Sequence, residues 1–125
     1  MTTAAPTLAW NKKENRMEKT EIKIYQIDGA KDDRRVMFRD YESTIHTAGM
    51  IDFSIYDCVY CGETDTDDLE TIFCLFNMEI PSGYTGHSVS VSDIIEICDG
   101  EKKGLYFCDS VGWVKLSTDP REKAK

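Results

Sequence analysis

The stretch GHSVSVSD, residues 86–93, contains the residue types of a hydrolase site: one histidine, three serines and one aspartate. A serine nucleophile needs a histidine base within hydrogen-bond reach and an oxyanion hole at the point of attack. His87 and Ser88 are adjacent, so in an extended chain their side chains point to opposite faces. The G-x-S-x-G turn that presents a nucleophile is also absent from the stretch. The spacing of Ser90 and Asp93 instead predicts a capped turn that leads into a strand.

The sequence CVYCG, residues 58–62, could supply two thiolates to a zinc site. The other three cysteines and the two histidines are scattered singly, so no second ligand pair accompanies it. In a regular strand, Cys58 and Cys61 would lie on opposite faces and roughly 10 Å apart, which is too far for one zinc ion. We therefore expect no metal and no cofactor. The expected role of the five cysteines is that of small apolar residues in the core.

The acidic run GETDTDDLE, residues 62–70, places five carboxylates within eight positions. It does not match a calcium loop, which requires D-x-D-x-D-G and a glutamate at the twelfth position. Carboxylates on one exposed loop also lack the burial that separates the pKa values of a glycosidase pair. Two interpretations remain open, a solvated helix start or a row of charges that binds a basic protein groove. The residues are Glu63, Asp65, Asp67, Asp68 and Glu70.

Charge is unevenly distributed along the 125 residues, whose formal net charge is −8. Residues 40–101 contain fourteen Asp and Glu and no Lys or Arg, whereas Lys and Arg exceed the acids by three at each end. Such a segment cannot neutralise its charges locally, so it would repel nucleic acid and attract basic partners. We therefore favour the acidic run as a partner-binding site. Asp52, Glu79 and Glu96 are further candidates for the same surface.

The surrounding pattern predicts strands and helices in the proportions of an ordinary globular domain. Alternation in EIKIYQI (21–27) predicts a first strand, VMF (36–38) is a candidate second strand, and residues 54–60 predict a third that ends at Gly62. Three further strands, IIEIC, GLYFC and VGWVKLS, predict a meander.

Two helices are predicted between these strands. The first follows Asp40 as its cap and stops at Gly49. The second carries one apolar stripe, formed by Leu69, Ile72, Phe73 and Phe76. The predicted fold is α+β: a bent, mainly antiparallel sheet of about five to six strands, with two short helices on one face and a C-terminal β-meander.

The domain organisation is predicted to be simple. We expect a poorly ordered leader over residues 1–19, a single domain over 20–118 and a charged tail over 119–125. No apolar run approaches the ~20 residues of a membrane span, and the amino terminus lacks the apolar region of a signal peptide. An odd number of cysteines fits a reducing compartment, so the expected localisation is the cytoplasm.

The chain resembles the YodL-like domain of proteins from conjugative and integrative elements of Gram-positive bacteria, over residues 22–116. The shared pattern consists of YDxVYxGE at 56–63, FN at 76–77, Pro81, GHSxSVSD at 86–93 and DSxG at 109–112. Cys58 and Cys61 stand where the family pattern has an aliphatic and a small polar residue, which further weakens the metal interpretation.

The resemblance implies a mobile-element setting and no agreed enzymatic activity. Small acidic proteins of such elements are frequently inhibitors of host defence, including anti-CRISPR and antirestriction proteins. RNA-guided nucleases hold nucleic acid in a positively charged channel that an acidic surface can contest. The leading hypothesis is a non-enzymatic anti-CRISPR protein in the bacterial cytoplasm, which binds a type II effector nuclease and blocks guide RNA or DNA loading. The acidic segment is not expected to bind nucleic acid directly.

Two other classes stay open. A non-enzymatic accessory module for conjugation or replication of a mobile element would show the same charge pattern. An enzyme, either a hydrolase around His87 and Ser88 or a nuclease that uses the carboxylates, would be revealed by metal dependence or by loss of activity in His87→Ala.

Overall fold

The computed structural model describes residues 19–78 and 83–117, which form a five-stranded sheet and two helices. The strands are β1 (Thr20–Ile27), β2 (Tyr56–Thr64), β3 (Ile94–Ile97), β4 (Gly104–Cys108) and β5 (Trp113–Lys115). The helices are α1 (Tyr41–Ala48) and α2 (Leu69–Met78). Apart from Lys19, the predicted leader and tail lie outside the described residues.

The sheet order is β2-β1-β3-β4-β5, and every neighbouring pair is antiparallel. This arrangement confirms the predicted α+β class and the C-terminal meander of β3, β4 and β5. In the part of the chain that the structure describes, none of the helices combines the length and apolarity needed to cross a bilayer.

Helix α1 begins and ends where the sequence predicts. The Asp40 carboxylate accepts the Ser43 N–H at 2.9 Å, and Gly49 ends α1 in the left-handed conformation, with a φ of 83°. Such a cap is typically worth about 1 kcal/mol. Ile72 and Phe76 of the predicted α2 stripe are fully buried. The amphipathic pattern of α2 is therefore confirmed as its core-facing side.

The two helices lie on opposite faces of the sheet, so the prediction that both cover one face is wrong. Ile94 belongs to an apolar cluster against which Ile45 of α1 packs, whereas Ile95 belongs to a second cluster with Ile72 of α2. Successive residues of a strand point to opposite faces. The sheet is therefore the middle of three layers.

The predicted strand VMF is a turn. The Asp32 carboxylate accepts the N–H groups of Val36 at 3.0 Å and Met37 at 2.9 Å, which removes both donors from any strand pairing. Phe38 follows with a φ of 68°, a left-handed conformation that a strand does not allow. An aspartate side chain has thus taken the hydrogen bonds that a neighbouring strand would need.

The strand predicted over residues 54–60 has different ends. Asp52 caps a 3₁₀ turn at Phe53–Ile55 by accepting the Ser54 N–H, so β2 begins at Tyr56. The strand then continues through Gly62 to Thr64, and its register with β1 shifts between Tyr60 and Cys58. Val59 is left without a partner in that register, as the extra residue of a β-bulge.

Candidate functional site

The five carboxylates of the acidic run do not form one cluster. Asp65 pairs with Lys19 at the start of β1, with the charged atoms 2.5 Å apart. Asp67 pairs with Lys102, between β3 and β4, at 3.5 Å. Both cations come from the basic ends of the chain. Contacts with distant parts of the chain therefore neutralise charges that the acidic segment, which contains no Lys or Arg, could not neutralise by itself.

Asp68 and Glu70 have partners in α2 and β5. The hydroxyl and the N–H of Thr71 donate to Asp68 at 2.6 and 3.1 Å, and these hydrogen bonds lower the pKa of its carboxyl group. The indole N–H of Trp113 donates to Glu70 at 3.0 Å. Asp68 thus acts as a helix cap. Glu63 is the member of the run whose side chain makes no hydrogen bond or ion pair with the described residues.

Glu63 belongs instead to a cluster that the strands assemble. Glu21 of β1 lies directly opposite Glu63, and Lys23 lies opposite both Cys61 of β2 and Glu96 of β3. Paired residues, and residues two apart on one strand, share a face of the sheet. We call Glu21, Glu63 and Glu96, with Lys23 among them, the acidic sheet surface.

The acidic sheet surface lies beyond the part of this face that α1 covers. The apolar cluster under α1 includes Tyr25 and Ile94, which lie two residues beyond Lys23 and Glu96 on the same strands. Glu21 and Glu63 are exposed, and Glu96 is half-buried and accepts a hydrogen bond from the Tyr25 hydroxyl at 2.8 Å. Within the described residues, Glu21 and Glu63 are thus two exposed carboxylates paired directly with each other, an arrangement suited to a cationic partner.

A buried polar network lies beneath the GHSVSVSD stretch and is centred on Gln26 of β1. The Gln26 side chain is 3% exposed, donates to the Asp93 carboxylate at 2.9 Å and accepts the His87 N–H at 3.1 Å. Its amide N–H groups are also within hydrogen-bond distance of the His87 carbonyl and the Tyr84 hydroxyl. The network fixes the main chain of His87, not its ring.

Asp93 is the charged end of this network. It is 1% exposed and accepts the Ser90 N–H at 2.8 Å, while its own N–H donates to the Ser90 carbonyl at 3.0 Å. The turn predicted from the spacing of Ser90 and Asp93 is therefore confirmed, with Asp93 as the side-chain acceptor. Burial raises the pKa of Asp93 to about 7, against the lowering effect of its hydrogen bonds from Ser90 and Gln26.

Ser92 connects the same stretch to three other segments. It is fully buried, has a φ of 84°, and its hydroxyl accepts the Phe38 N–H at 2.9 Å. Its carbonyl accepts the Tyr56 hydroxyl at 2.6 Å, and its N–H donates to Cys108 at 2.9 Å. The serines of the stretch thus hold backbone in place, as residues that compete for backbone hydrogen bonds do.

His87 and Ser88 do not form a nucleophile and base pair. The His87 ring is exposed, its Nδ1 lies 2.7 Å from the Ser88 carbonyl oxygen, and it packs on the Phe38 ring at 5.4 Å between centroids. The Ser90 hydroxyl also donates to that carbonyl, at 2.9 Å. Among the described residues, no serine hydroxyl is hydrogen-bonded to the His87 ring.

The cysteines differ from the sequence prediction in two ways. Cys58, Cys61 and Cys74 are exposed, Cys98 is half-buried and Cys108 is buried, so packing in the core holds only for Cys108. The bulge at Val59 also places Cys58 and Cys61 on the same face of the sheet, where opposite faces were predicted, since their partners are two apart on β1. The described residues contain no group of three or more His, Cys, Asp or Glu that could hold a metal ion.

Sequence reasoning missed Gln26 and the pairing of Glu21 with Glu63. Gln26 stands between Tyr25 and Ile27, and its polar type inside an apolar strand was the available signal. Glu21 and Glu63 are 42 positions apart, and only the strand register brings them together. Of the further candidates, Asp52 caps a turn, and Glu79 lies outside the described residues.

Comparison with known proteins gives one family. The family model of the YodL-like domain matches residues 21–118. No curated protein and no solved structure matches the chain.

Proposed function

This chain belongs to the YodL-like domain family, and from that premise we propose that it is a binding module without enzymatic activity whose acidic sheet surface binds a basic protein. The observation that carries the proposal is the direct pairing of Glu21 with Glu63, both of which are exposed. Like charges in that position cost a fold roughly 0.2–1 kcal/mol. A cationic partner would convert this repulsion into attraction at both carboxylates.

Because the carboxylates of the acidic run are dispersed, the residues that we propose bind the partner differ from those that the sequence favours. Asp65 and Asp67 have ammonium partners within the chain, and Asp68 holds the start of α2. Their charges are partly compensated before any partner arrives. We therefore place Glu63 and Glu21 at the centre of binding, with Glu96 and the remainder of the run at its rim, where charges mainly steer association.

The partner that we propose is a type II CRISPR effector nuclease in the cytoplasm of a bacterial host. Such effectors hold guide RNA and target DNA through the backbone in a positively charged channel. An acidic protein surface in that channel would compete with nucleic acid and block guide RNA or DNA loading. The family resemblance to proteins of mobile elements supports this choice, because such elements carry inhibitors of host defence.

The alternative partner is a basic protein encoded by the element itself, with the chain as an accessory module for conjugation or replication. The same surface would serve that purpose. The contact of His87 Nδ1 with the Ser88 carbonyl oxygen, at 2.7 Å, supports both binding proposals over a hydrolase, because a base would contact a hydroxyl.

Order of addition distinguishes the two partners. We expect the protein to inhibit target cleavage by a type II effector when it is added before guide RNA and to inhibit weakly when it is added afterwards. Inhibition should weaken between 0.05 and 0.2 M salt, since exposed charges are screened beyond roughly 10 Å at 0.1 M. Full cleavage in both orders, across several effectors, would leave the accessory module as the proposal.

Charge reversal identifies the surface in the same assay. Glu21→Lys combined with Glu63→Lys should weaken inhibition at least tenfold and reduce its salt dependence, because two carboxylates at the centre of binding become repulsive. Asp33→Lys combined with Glu42→Lys is the matched control, since both are exposed and lie outside the acidic sheet surface. Equal loss in the two double variants would mean that net charge alone, and not this surface, determines inhibition.

A further inference from the structure

A groove of about 310 Å³ opens between the end of β2 and α2, beside the acidic sheet surface. Its apolar side is formed by Tyr60, Leu75 and the fully buried ring of Phe76. Its polar rim is lined by Lys19, Glu63 and Asp65. Ligand pockets for drug-sized molecules begin at roughly 300 Å³, so this groove is large enough to receive one long side chain.

The aromatic wall of the groove depends on Gly62. The Tyr60 ring meets Phe76 edge to face, with 4.8 Å between centroids. A Cβ at Gly62 would lie 2.5 Å from the Tyr60 hydroxyl oxygen, so the ring runs along the strand over the position that a larger residue would fill. The ring is thus held against β2 on the face that α2 covers.

The chain already places a cation at this rim. The Lys19 ammonium lies 2.5 Å from the Asp65 carboxylate, and the hydrogen bond and charge of Asp65, together with the charge of Glu63, raise the pKa of Lys19. The pair is exposed, with 53% of the Lys19 side chain and 83% of the Asp65 side chain accessible. Exposed pairs are weak and exchange readily with other ions.

We infer that this groove receives one lysine or arginine side chain from the partner protein, with Lys19 as the internal group that it displaces. The aliphatic stem would pack on Leu75 and Tyr60, and the cationic head would replace the Lys19 ammonium beside Asp65, near the face of the Tyr60 ring. This inference rests on the function proposed above, because Glu63 belongs both to the groove and to the acidic sheet surface.

The test is an NMR titration of the protein with N-acetyl-lysine methylamide, a probe that carries one basic side chain. We expect shifts of the Tyr60 and Leu75 signals, and no such shifts with the norleucine analogue, which lacks the ammonium group. Lys19→Ala should tighten probe binding about two- to fivefold. The Lys19 ammonium competes with the probe for Asp65, and an exposed ion pair of this kind is worth about that factor. Lys31→Ala is the matched control, since Lys31 pairs with Asp57 at 2.9 Å outside the groove.

Two results would contradict the binding of a basic side chain in the groove. One is tightening of equal size in Lys19→Ala and Lys31→Ala, which would reflect net charge alone. The other is a set of shifts confined to Glu21 and Glu96, without Tyr60 or Leu75. In either case, loss of partner binding on reversal of Glu21 and Glu63 would still support the proposed function. Retention of partner binding in that double variant would count against the proposed function separately.

Discussion

Gly86→Ala should lower the free energy of unfolding by about 3 kcal/mol, because its methyl group displaces a buried glutamine. A Cβ at Gly86 would stand 2.0 Å from the Gln26 amide oxygen and 3.1 Å from Val59. The end of a glutamine side chain could swing aside at a surface. Here Gln26 is 3% exposed and hydrogen-bonded on both its amide oxygen and nitrogen, so moving it breaks its hydrogen bonds to Asp93 and His87 in the core.

Urea unfolding measured beside Gly29→Ala checks this expectation. A Cβ at Gly29 would meet only the end of Met37, at an ordinary 3.7 Å, so that variant should change stability by less than about 0.5 kcal/mol. In a Gln26→Ala background, Gly86→Ala should cost much less, since the displaced group is gone. A full and additive cost in that background would show that Gly86 acts through something other than Gln26.

Raising the pH should destabilise the wild-type protein through Asp93, and Asp93→Asn should remove that effect. Burial raises the pKa of this carboxyl group from its ordinary value near 4 to about 7 in the folded state. Between these two values the unfolded chain releases the proton while the folded chain keeps it. Each rise in pH across that window therefore favours the unfolded state, by up to about 4 kcal/mol in total.

The asparagine side chain keeps an oxygen for the N–H groups of Ser90 and Gln26 but has no proton to release. In urea unfolding, Asp93→Asn should match the wild type near pH 4 and exceed its stability at pH 8. Asp40→Asn is the control for the sign of the pH effect. Hydrogen bonds from Ser43 lower the pKa of Asp40, so its contribution to the free energy of unfolding is lost only as the pH falls below about 4. A constant difference between wild type and Asp93→Asn from pH 4 to 8 would contradict the raised pKa.

Local patterns predicted those elements whose hydrogen bonds and apolar faces are local. Ile22 and Ile24 are fully buried on β1, as their alternation indicates, and Asp40 and Gly49 delimit α1. The pattern failed where a side chain from a neighbouring segment took over the backbone. Asp32 accepts the donors that would have made residues 36–38 a strand, and sequence periodicity does not register that competition.

The candidate site was harder to predict because proximity in sequence and in space differ. The carboxylates of the acidic run have separate partners, because Lys19 and Lys102, from opposite ends of the chain, pair with Asp65 and Asp67. Glu21 was assigned to an ordinary alternating strand, although strand pairing places it against Glu63. The class of partner can be predicted from charge alone, without knowledge of any contact. The residues that would bind that partner depend on the strand register.

The most direct test of partner binding by the acidic sheet surface is affinity capture from a bacterial lysate, with quantitative comparison of three forms of the protein. We expect at least one protein with a basic surface to be retained by the wild type and by the Asp33→Lys, Glu42→Lys control. The same protein should be lost when Glu21 and Glu63 are reversed to lysine. Identical captured proteins for all three forms would contradict a partner-binding role for the acidic sheet surface.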